Sequence, residues 1–209
     1  IPIAVGAGFA NAYRSDGRVS VVFFGDGATN IGAFHEAANM AAALRLPVVF
    51  VCENNEYAEY TRREQTMAIT DVVERAAAYG MPGSIVDGMD AVAIYESATE
   101  ALERARRGEG PTFLECKTYR YYNHHGVQTL GAKYRSDEEV ESARQRDPID
   151  RHEKLLIDGG VMTAEGLQAV REQIQEEVDD AVQFGENSPM PDPSTLLDDV
   201  YSLPKGEIL

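Results

Sequence analysis

Basic residues are scarce in this chain: 19 Lys and Arg stand against 35 Asp and Glu in 209 residues, a formal net charge of −16. That balance excludes nucleic acid as a partner, because phosphate contacts need a basic face. Cysteine occurs only at Cys52 and Cys116, both inside strand-like runs. This points to buried free thiols rather than a disulfide and fits a reducing compartment. No stretch approaches the ~20 apolar residues of a membrane span, and no signal or transit peptide is visible. Internal repeats and low-complexity segments are absent. So is a nicotinamide-binding fingerprint: no G-x-G-x-x-G follows a first strand, and Gly6-Ala7-Gly8 precedes the first strand-like run instead. The chain begins at Ile1 rather than Met, which reads as a fragment, a processed piece or a trimmed start. Its length predicts one domain plus an appendage, with ~70% of the unfolded surface buried on folding.

What is present is a pair of polar motifs, each behind an apolar β run. Residues 19–24 lead into Gly25-Asp26-Gly27, and residues 47–52 lead into Asn54-Asn55. A helix-like stretch, 29–44, lies between them. A carboxylate and an amide therefore sit just past the carboxyl ends of two strands of one βαβ unit, where ligands bind in parallel sheets. One carboxylate plus an amide oxygen, with open positions left over, suits magnesium shared with a phosphate group. The flanking glycines let the backbone turn tightly and approach phosphates closely. Taken alone, Asp26 reads first as a turn residue after a strand.

The rest of the chain continues the alternation. A helix is predicted over 2–14, with Pro2 at an opening position and a Ser15-Asp16-Gly17 turn behind it. Gly6 and Gly8 are small enough for close helix packing or for close approach of a cofactor. A short helix starts at Thr70-Asp71-Val72, runs to Tyr79 and is closed by Gly80. Residues 84–86 form a short strand. Residues 90–107 form an amphipathic helix with Ala91, Ile94, Ala98, Leu102 and Ala105 near one face. Residues 112–118 are a strand with partial alternation. Residues 119–135 have no period, and a loop of that length is functional or disordered. Ser136 opens a helix with acidic first-turn residues. Helices follow over 148–158 and 163–184, then a Pro-rich connector over 188–193. The tail after Leu196 reads as an interaction arm or a partly ordered end. The pattern predicts an α/β fold: a doubly wound, mainly parallel sheet over residues 1–145, and a carboxyl-terminal helical appendage over 146–209.

Several motifs occur in an order that resembles one family. They are Gly25-Asp26-Gly27-Ala28-Thr29-Asn30-Ile31-Gly32, Phe34-His35-Glu36, Leu46-Pro47, Val51-Cys52-Glu53-Asn54-Asn55, Thr118-Tyr119-Arg120-Tyr121, Tyr134-Arg135 and Arg146-Asp147-Pro148-Ile149. The first and fourth together resemble the thiamine diphosphate motif. The whole set is similar to the alpha subunit of the dehydrogenase component of 2-oxo acid dehydrogenase complexes, which pyruvate, branched-chain and acetoin dehydrogenases share. The resemblance implies that Asp26, Asn55 and the backbone carbonyl of Tyr57 ligate magnesium. It implies that Gly27 and Ala28 offer backbone N–H groups to the diphosphate. It maps His124, four residues beyond Arg120, onto the family's active-site His, which touches the cofactor's intermediates and assists acyl transfer to a lipoyl group. A His suits that task because its unperturbed pKa lies near neutrality. Arg120 orders the loop. No third or fourth ligand accompanies His124 and His125, so a zinc site is not indicated. Asn30 and Glu36 read as helix-cap or supporting residues, and His35 is assigned no role.

The implied assembly has two alpha and two beta chains, with the cofactor at their interface, and works with a lipoyl-bearing acyltransferase. Membrane and nucleic acid are not expected partners. The expected reaction is oxidative decarboxylation of pyruvate or a related 2-oxo acid. The alternatives are an acetoin dehydrogenase alpha subunit and a truncated, non-catalytic assembly module. The chain departs from the family pattern in two places. Roughly the first third of the family's alpha chain has no counterpart before Ile1. Where many members carry Ser-x-Ser-Asp soon after the His, this chain reads His125-Gly126-Val127-Gln128-Thr129, so the regulatory serine is replaced by His125. That replacement suggests a bacterial cytoplasm, or a mitochondrial matrix if the source is eukaryotic.

Overall fold

The apolar β runs become the centre of a four-stranded parallel sheet. The computed structural model describes residues 1–126, 133–196 and 198; the expectations for 127–132 and for most of the tail lie outside them. Helix α1 (Pro2–Arg14) precedes strand β1 (Ser20–Gly25), a 3-10 turn (Asp26–Asn30), α2 (Gly32–Ala43) and β2 (Val48–Asn54). A two-residue hairpin follows, β3 (Tyr57–Ala58) and β4 (Thr61–Arg62). Then come α3 (Glu74–Ala78), β5 (Gly83–Asp87), α4 (Ala91–Arg106), β6 (Thr112–Lys117), α5 (Asp137–Arg144), α6 (Pro148–Asp158) and α7 (Ala164–Asn187). The sheet order is β1-β2-β6-β5, all parallel. Gly25 lies opposite Glu53, and Asn54 opposite Lys117. Three adjacent strands thus end at one edge, and the segments after β1, β2 and β6 emerge side by side.

Each sheet face has its own core. On one, Phe24, Phe34, Phe50 and Phe113 pack with Val5 and the alanines of α2. Their rings meet at 5.9–6.4 Å in tilted or edge contacts, the arrangement the ring quadrupoles favour. On the other, Val49, Leu114, Val86 and Cys116 pack under Ala101 and Leu102 of α4. Coverage on both sides is what a doubly wound sheet requires. It also explains why residues 112–116 are all buried where partial alternation was expected: β6 is a central strand. Both cysteines are buried and free. Burial, with Glu53 and Glu115 nearby, pushes the Cys116 thiol up to about 11, so it stays protonated and unreactive. Gly8 lies in the packing contact of α1: a Cβ there would sit 2.4 Å from Val48 Cγ2. Gly6 faces open space.

Three local departures from expectation have local causes. The helix predicted from Thr29 starts as a 3-10 turn, because Thr29 Oγ1 donates to the Asp26 carbonyl at 2.7 Å and Ile31 is extended. The helix predicted from Thr70 begins only at Glu74, because the segment before it closes in tighter i→i−3 turns: Glu74 N donates to the Asp71 carbonyl and Arg75 N to the Val72 carbonyl, both at 3.1 Å. On α4 the buried positions are Ala101 and Ala105, while Ala91 is exposed. Three helix starts carry side-chain caps: Asp90 accepts from Val92 and Ala93, Ser136 from Glu139, and Thr163 from Gly166. Each satisfies an otherwise orphaned helix-start amide.

The chain divides into two units, residues 1–155 and 156–209. The first holds the sheet; the described part of the second is built from α7, the end of α6 and a 3-10 turn at Pro193–Thr195. Among the described residues no helix is long and apolar enough to cross a membrane.

Within the first unit, Arg151 of α6 binds Asp87 Oδ2 and Asp90 Oδ2, both at 2.6 Å. The Arg151 guanidinium holds the Asp87 carboxyl below its ordinary 3.8. A depressed folded-state pKa gives stability that is full above the unfolded value and vanishes as pH falls through the folded value. The stability difference between wild type and Arg151→Ala is therefore expected to be constant above 3.8 and to shrink below it. Urea midpoints taken across that range check this; a difference that grows on acidification would contradict it. The groups are about half exposed, so the effect is small.

Candidate functional site

The Asp26 side chain is fully buried at the exit of β1, and neither carboxylate oxygen has a hydrogen-bond partner among the described residues. Burial pushes its carboxyl above the ordinary range; Glu56 adds to this, while the guanidiniums of Arg63 and Arg120 oppose it. Buried charged groups are normally paired or bound to a metal. An orphaned carboxylate at the ligand-binding edge of a parallel sheet has the chemistry of a cation site. Gly27 makes the close approach possible: a Cβ there would lie 2.5 Å from Ala58 Cβ. The turn carrying Asp26 is thus pressed against the β3–β4 hairpin. Gly27 and Ala28 sit in the first turn of the 3-10 segment, where backbone N–H groups have no partner within the helix.

The two asparagines after β2 have different tasks. Asn54 is fully buried; its Nδ2 donates to Glu115 Oε1 at 2.7 Å, and its Oδ1 accepts from Glu56 N at 3.1 Å. Its hydrogen bonding is committed to the protein. Asn55 is half-buried, and among the described residues its Oδ1 accepts only from Tyr57 N, at 3.2 Å, which leaves that oxygen a second lone pair. Glu56, between them and Tyr57, is left-handed with φ 69°. An L side chain there is strained. The turn is held by Arg63, whose amide donates to the Glu56 carbonyl and whose Nε donates to Glu56 Oε2, both at 2.9 Å. Burial opposes the charge on Arg63, and Glu56 with the nearby Glu115 outweighs it. Asp26, Asn55 and the Tyr57 carbonyl all carry oxygen donors, the kind a hard cation takes. Among the described residues no group of three His, Cys, Asp and Glu side chains could hold a softer metal.

The segment after β6 lies over the hairpin. Arg120 Nη2 donates to the Glu59 carbonyl at 2.5 Å and to Tyr134 Oη at 3.1 Å. Arg120 Nη1 meets His124 Nδ1 at 3.2 Å. A guanidinium can only donate, so this contact assigns the proton of neutral His124 to Nε2. His124 and His125 are exposed, and the His125 ring packs on Tyr60 at 5.7 Å.

Two residues with no role assigned from sequence organise this layer. Glu139 Oε1 accepts from Tyr57 Oη at 2.7 Å and Tyr119 Oη at 2.9 Å, and Oε2 accepts from Arg62. Burial raises the Glu139 carboxyl, but these partners outweigh it and hold it below the usual range. The same bond and burial raise the Tyr57 hydroxyl. Arg135 donates to the carbonyls of Arg120, Tyr121 and Tyr122. It also sits 5.0–5.8 Å from the rings of Tyr134, Tyr119 and Tyr57. The third overlooked residue is Glu115, a charge in the buried middle of β6, and that charge was the signal available. His35 joins a separate polar cluster, with Tyr79 at Nδ1 and Arg75 at Nε2, and Arg75 also donates to Asn30 Oδ1 at 2.6 Å.

A family model described as "Dehydrogenase E1 component" matches residues 1–194. The chain is similar to the alpha subunit of acetoin:2,6-dichlorophenolindophenol oxidoreductase of Bacillus subtilis strain 168, 45% identical over 98% of this chain and 61% of that protein. It is also similar to the pyruvate dehydrogenase E1 component subunit alpha-3, chloroplastic, of Oryza sativa subsp. japonica, 42% identical over 99% of this chain and 50% of that one. A third relative is the pyruvate dehydrogenase E1 component subunit alpha of Rhizobium meliloti strain 1021, 41% identical over 96% of this chain and 57% of that protein. The chain spans half to about three-fifths of these relatives' length.

Proposed function

The chain belongs to the dehydrogenase E1 component family, and from that premise we propose that it serves as the alpha subunit of a thiamine diphosphate-dependent 2-oxo acid dehydrogenase. The observation that carries the reading is the fully buried Asp26 carboxylate at the carboxyl end of β1, which has no hydrogen-bond partner among the described residues. Asp26, Asn55 and the Tyr57 carbonyl would hold magnesium, and the N–H groups of Gly27 and Ala28 would hold the diphosphate. The cofactor, when bound, supplies the electron sink that decarboxylation needs. This chain's residues bind and orient it. Arg120 would aim the His124 ring by holding Nδ1, leaving Nε2–H to donate a hydrogen bond during acyl transfer to a lipoyl group. The partners are a beta subunit, in a two-alpha two-beta assembly, and a lipoyl-bearing acyltransferase. Two buried free thiols favour a reducing compartment such as a bacterial cytoplasm.

Acetoin is the alternative substrate, on the 45% identity to the Bacillus subtilis protein against 40–43% for the pyruvate dehydrogenase subunits. Calorimetric titration of thiamine diphosphate and magnesium into this chain, alone and assembled with a beta subunit, tests the proposal. Binding is expected with the partner. Turnover of pyruvate against acetoin by that assembly decides the substrate. A well-folded assembly that binds neither ligand would instead make the chain a non-catalytic assembly module.

A further inference from the structure

One carboxyl group lies where the chain has no need of it for solubility or for the reaction. Glu115 is fully buried in the central strand β6. Its Oε1 accepts from Asn54 Nδ2 and its Oε2 from Val73 N, each at 2.7 Å. Burying such a group costs free energy unless every oxygen is satisfied, and here each oxygen has a donor. A leucine or valine would fill a strand interior at lower risk.

The donor and acceptor pattern suggests what the group does. An amide side chain can turn over, exchanging its oxygen and nitrogen. Glu115 accepts on both oxygens, so Asn54 must present Nδ2 to it and Oδ1 to the other side. There Oδ1 receives the Glu56 amide at 3.1 Å. That bond is one of those holding Glu56 at its left-handed φ of 69°, a conformation that persists only where its surroundings over-determine it. The next residue is Tyr57.

We infer that Glu115 is a positioning residue for the metal turn: by fixing which way the Asn54 amide faces, it holds Glu56 left-handed and so places the Asn55 oxygen and the Tyr57 carbonyl. The inference rests on the function proposed above for the role of those two oxygens. The placement of the turn itself stands apart from it. Glu115 touches neither reacting group and acts through Asn54.

An exchange of the two side chains' chemistry tests this in the chain assembled with its beta subunit. Glu115→Gln replaces one acceptor by a donor. Whichever way the new amide faces, it opposes either Val73 N or Asn54 Nδ2, or turns Asn54 over against Glu56 N. Asn54→Asp sets two acceptors face to face. The double variant Glu115→Gln/Asn54→Asp restores the pattern with the charge moved across one hydrogen bond. Position 115 accepts from Val73 N and donates to position 54, which still accepts from Glu56 N. Each single variant is expected to raise the magnesium concentration for half-saturation of thiamine diphosphate binding by about 10–100-fold, the usual effect of removing a ligand's supporting partner. The double variant is expected to return to within about threefold of wild type. In the metal-free protein, amide exchange at Glu56 should quicken about tenfold in Glu115→Gln and recover in the double variant.

A lower melting temperature with an unchanged magnesium requirement would make Glu115 merely structural and overturn the inference. So would a double variant as impaired as its parents. Should Glu115→Gln fail to fold, the double variant decides alone: near-wild-type behaviour supports the inference, and weak magnesium binding or no fold overturns it. A wild type that binds no magnesium and thiamine diphosphate overturns the function, whereas the loss and recovery of Glu56 protection still upholds the hold of Glu115 on the turn.

Discussion

Asp26→Ala is expected to abolish magnesium-dependent binding of thiamine diphosphate and, at the same time, to raise the melting temperature of the metal-free chain. The two effects share one cause. Both Asp26 oxygens are buried without a partner among the described residues, and burial already opposes the charged form. An unsatisfied buried polar group costs about 1–3 kcal/mol, more when charged. The methyl of alanine removes that cost and leaves only a small void. About 2–4 °C per kcal/mol is typical for a chain of this size, so a rise of several degrees is expected without metal. With magnesium and cofactor the order reverses: wild type gains stability from the bound ligands and the variant does not. Loss of affinity should be at least about a hundredfold, because the set loses its only charged oxygen ligand. Thermal melts with and without the two ligands check both signs. A variant that melts lower in both conditions, with binding retained, would make Asp26 an ordinary turn residue.

Arg135→Ala is expected to free the segment that carries His124 while the Asp26 site stays built. One guanidinium donates to three consecutive backbone carbonyls, Arg120 to Tyr122, and contacts three tyrosine rings. Those carbonyls belong to a segment without regular structure, so no strand or helix partner would replace the lost donors. Charge-assisted bonds of this kind contribute about 1.5–3 kcal/mol each, and ring contacts about 0.5–1 kcal/mol. They share one side chain and do not add, so a local loss of about 3 kcal/mol is a reasonable scale. That corresponds to a roughly hundredfold rise in the open population of residues 119–126. Limited proteolysis should show cleavage there accelerated by that order. Turnover should fall at least about tenfold through misplacement of His124. Arg135→Lys should not rescue, since an ammonium lacks the planar fork that reaches several carbonyls at once. Unchanged proteolysis in Arg135→Ala would show that the tyrosine packing alone holds the segment. Asp26→Ala, by contrast, should leave the segment protected. The pair of variants separates cofactor binding from loop order.

Elements whose signals are local were legible along the chain. The apolar, β-branched runs before Gly25 and Asn54 specify buried strands, because a central parallel strand must be apolar on both faces. Asp90, Ser136 and Thr163 specify helix starts, because a side-chain oxygen beside a free amide is a contact within a few residues. The Gly25-Asp26-Gly27 and Asn54-Asn55 motifs are legible for the same reason: each closes a strand, and the parallel register alone brings strand ends together. That Asp26 would be left without any partner does not follow from such signals.

Tertiary structure decided everything that depends on residues distant along the chain. Asn54 and Asn55 are the same residue type in adjacent positions, and only the arrival of Glu115 on a neighbouring strand separates a committed amide from an available one. The amide just before α3, Val73 N, likewise finds its acceptor in Glu115, 42 residues on. The β3–β4 hairpin went unpredicted because two-residue strands are too short to display a period. Glu139 sits in what reads as an ordinary acidic first turn. Its task appears only when Tyr57, Tyr119 and Arg62 converge on it from three other segments. Local pattern reports which faces a residue will turn inward; which partner waits there is set by topology, and topology is a property of the whole fold.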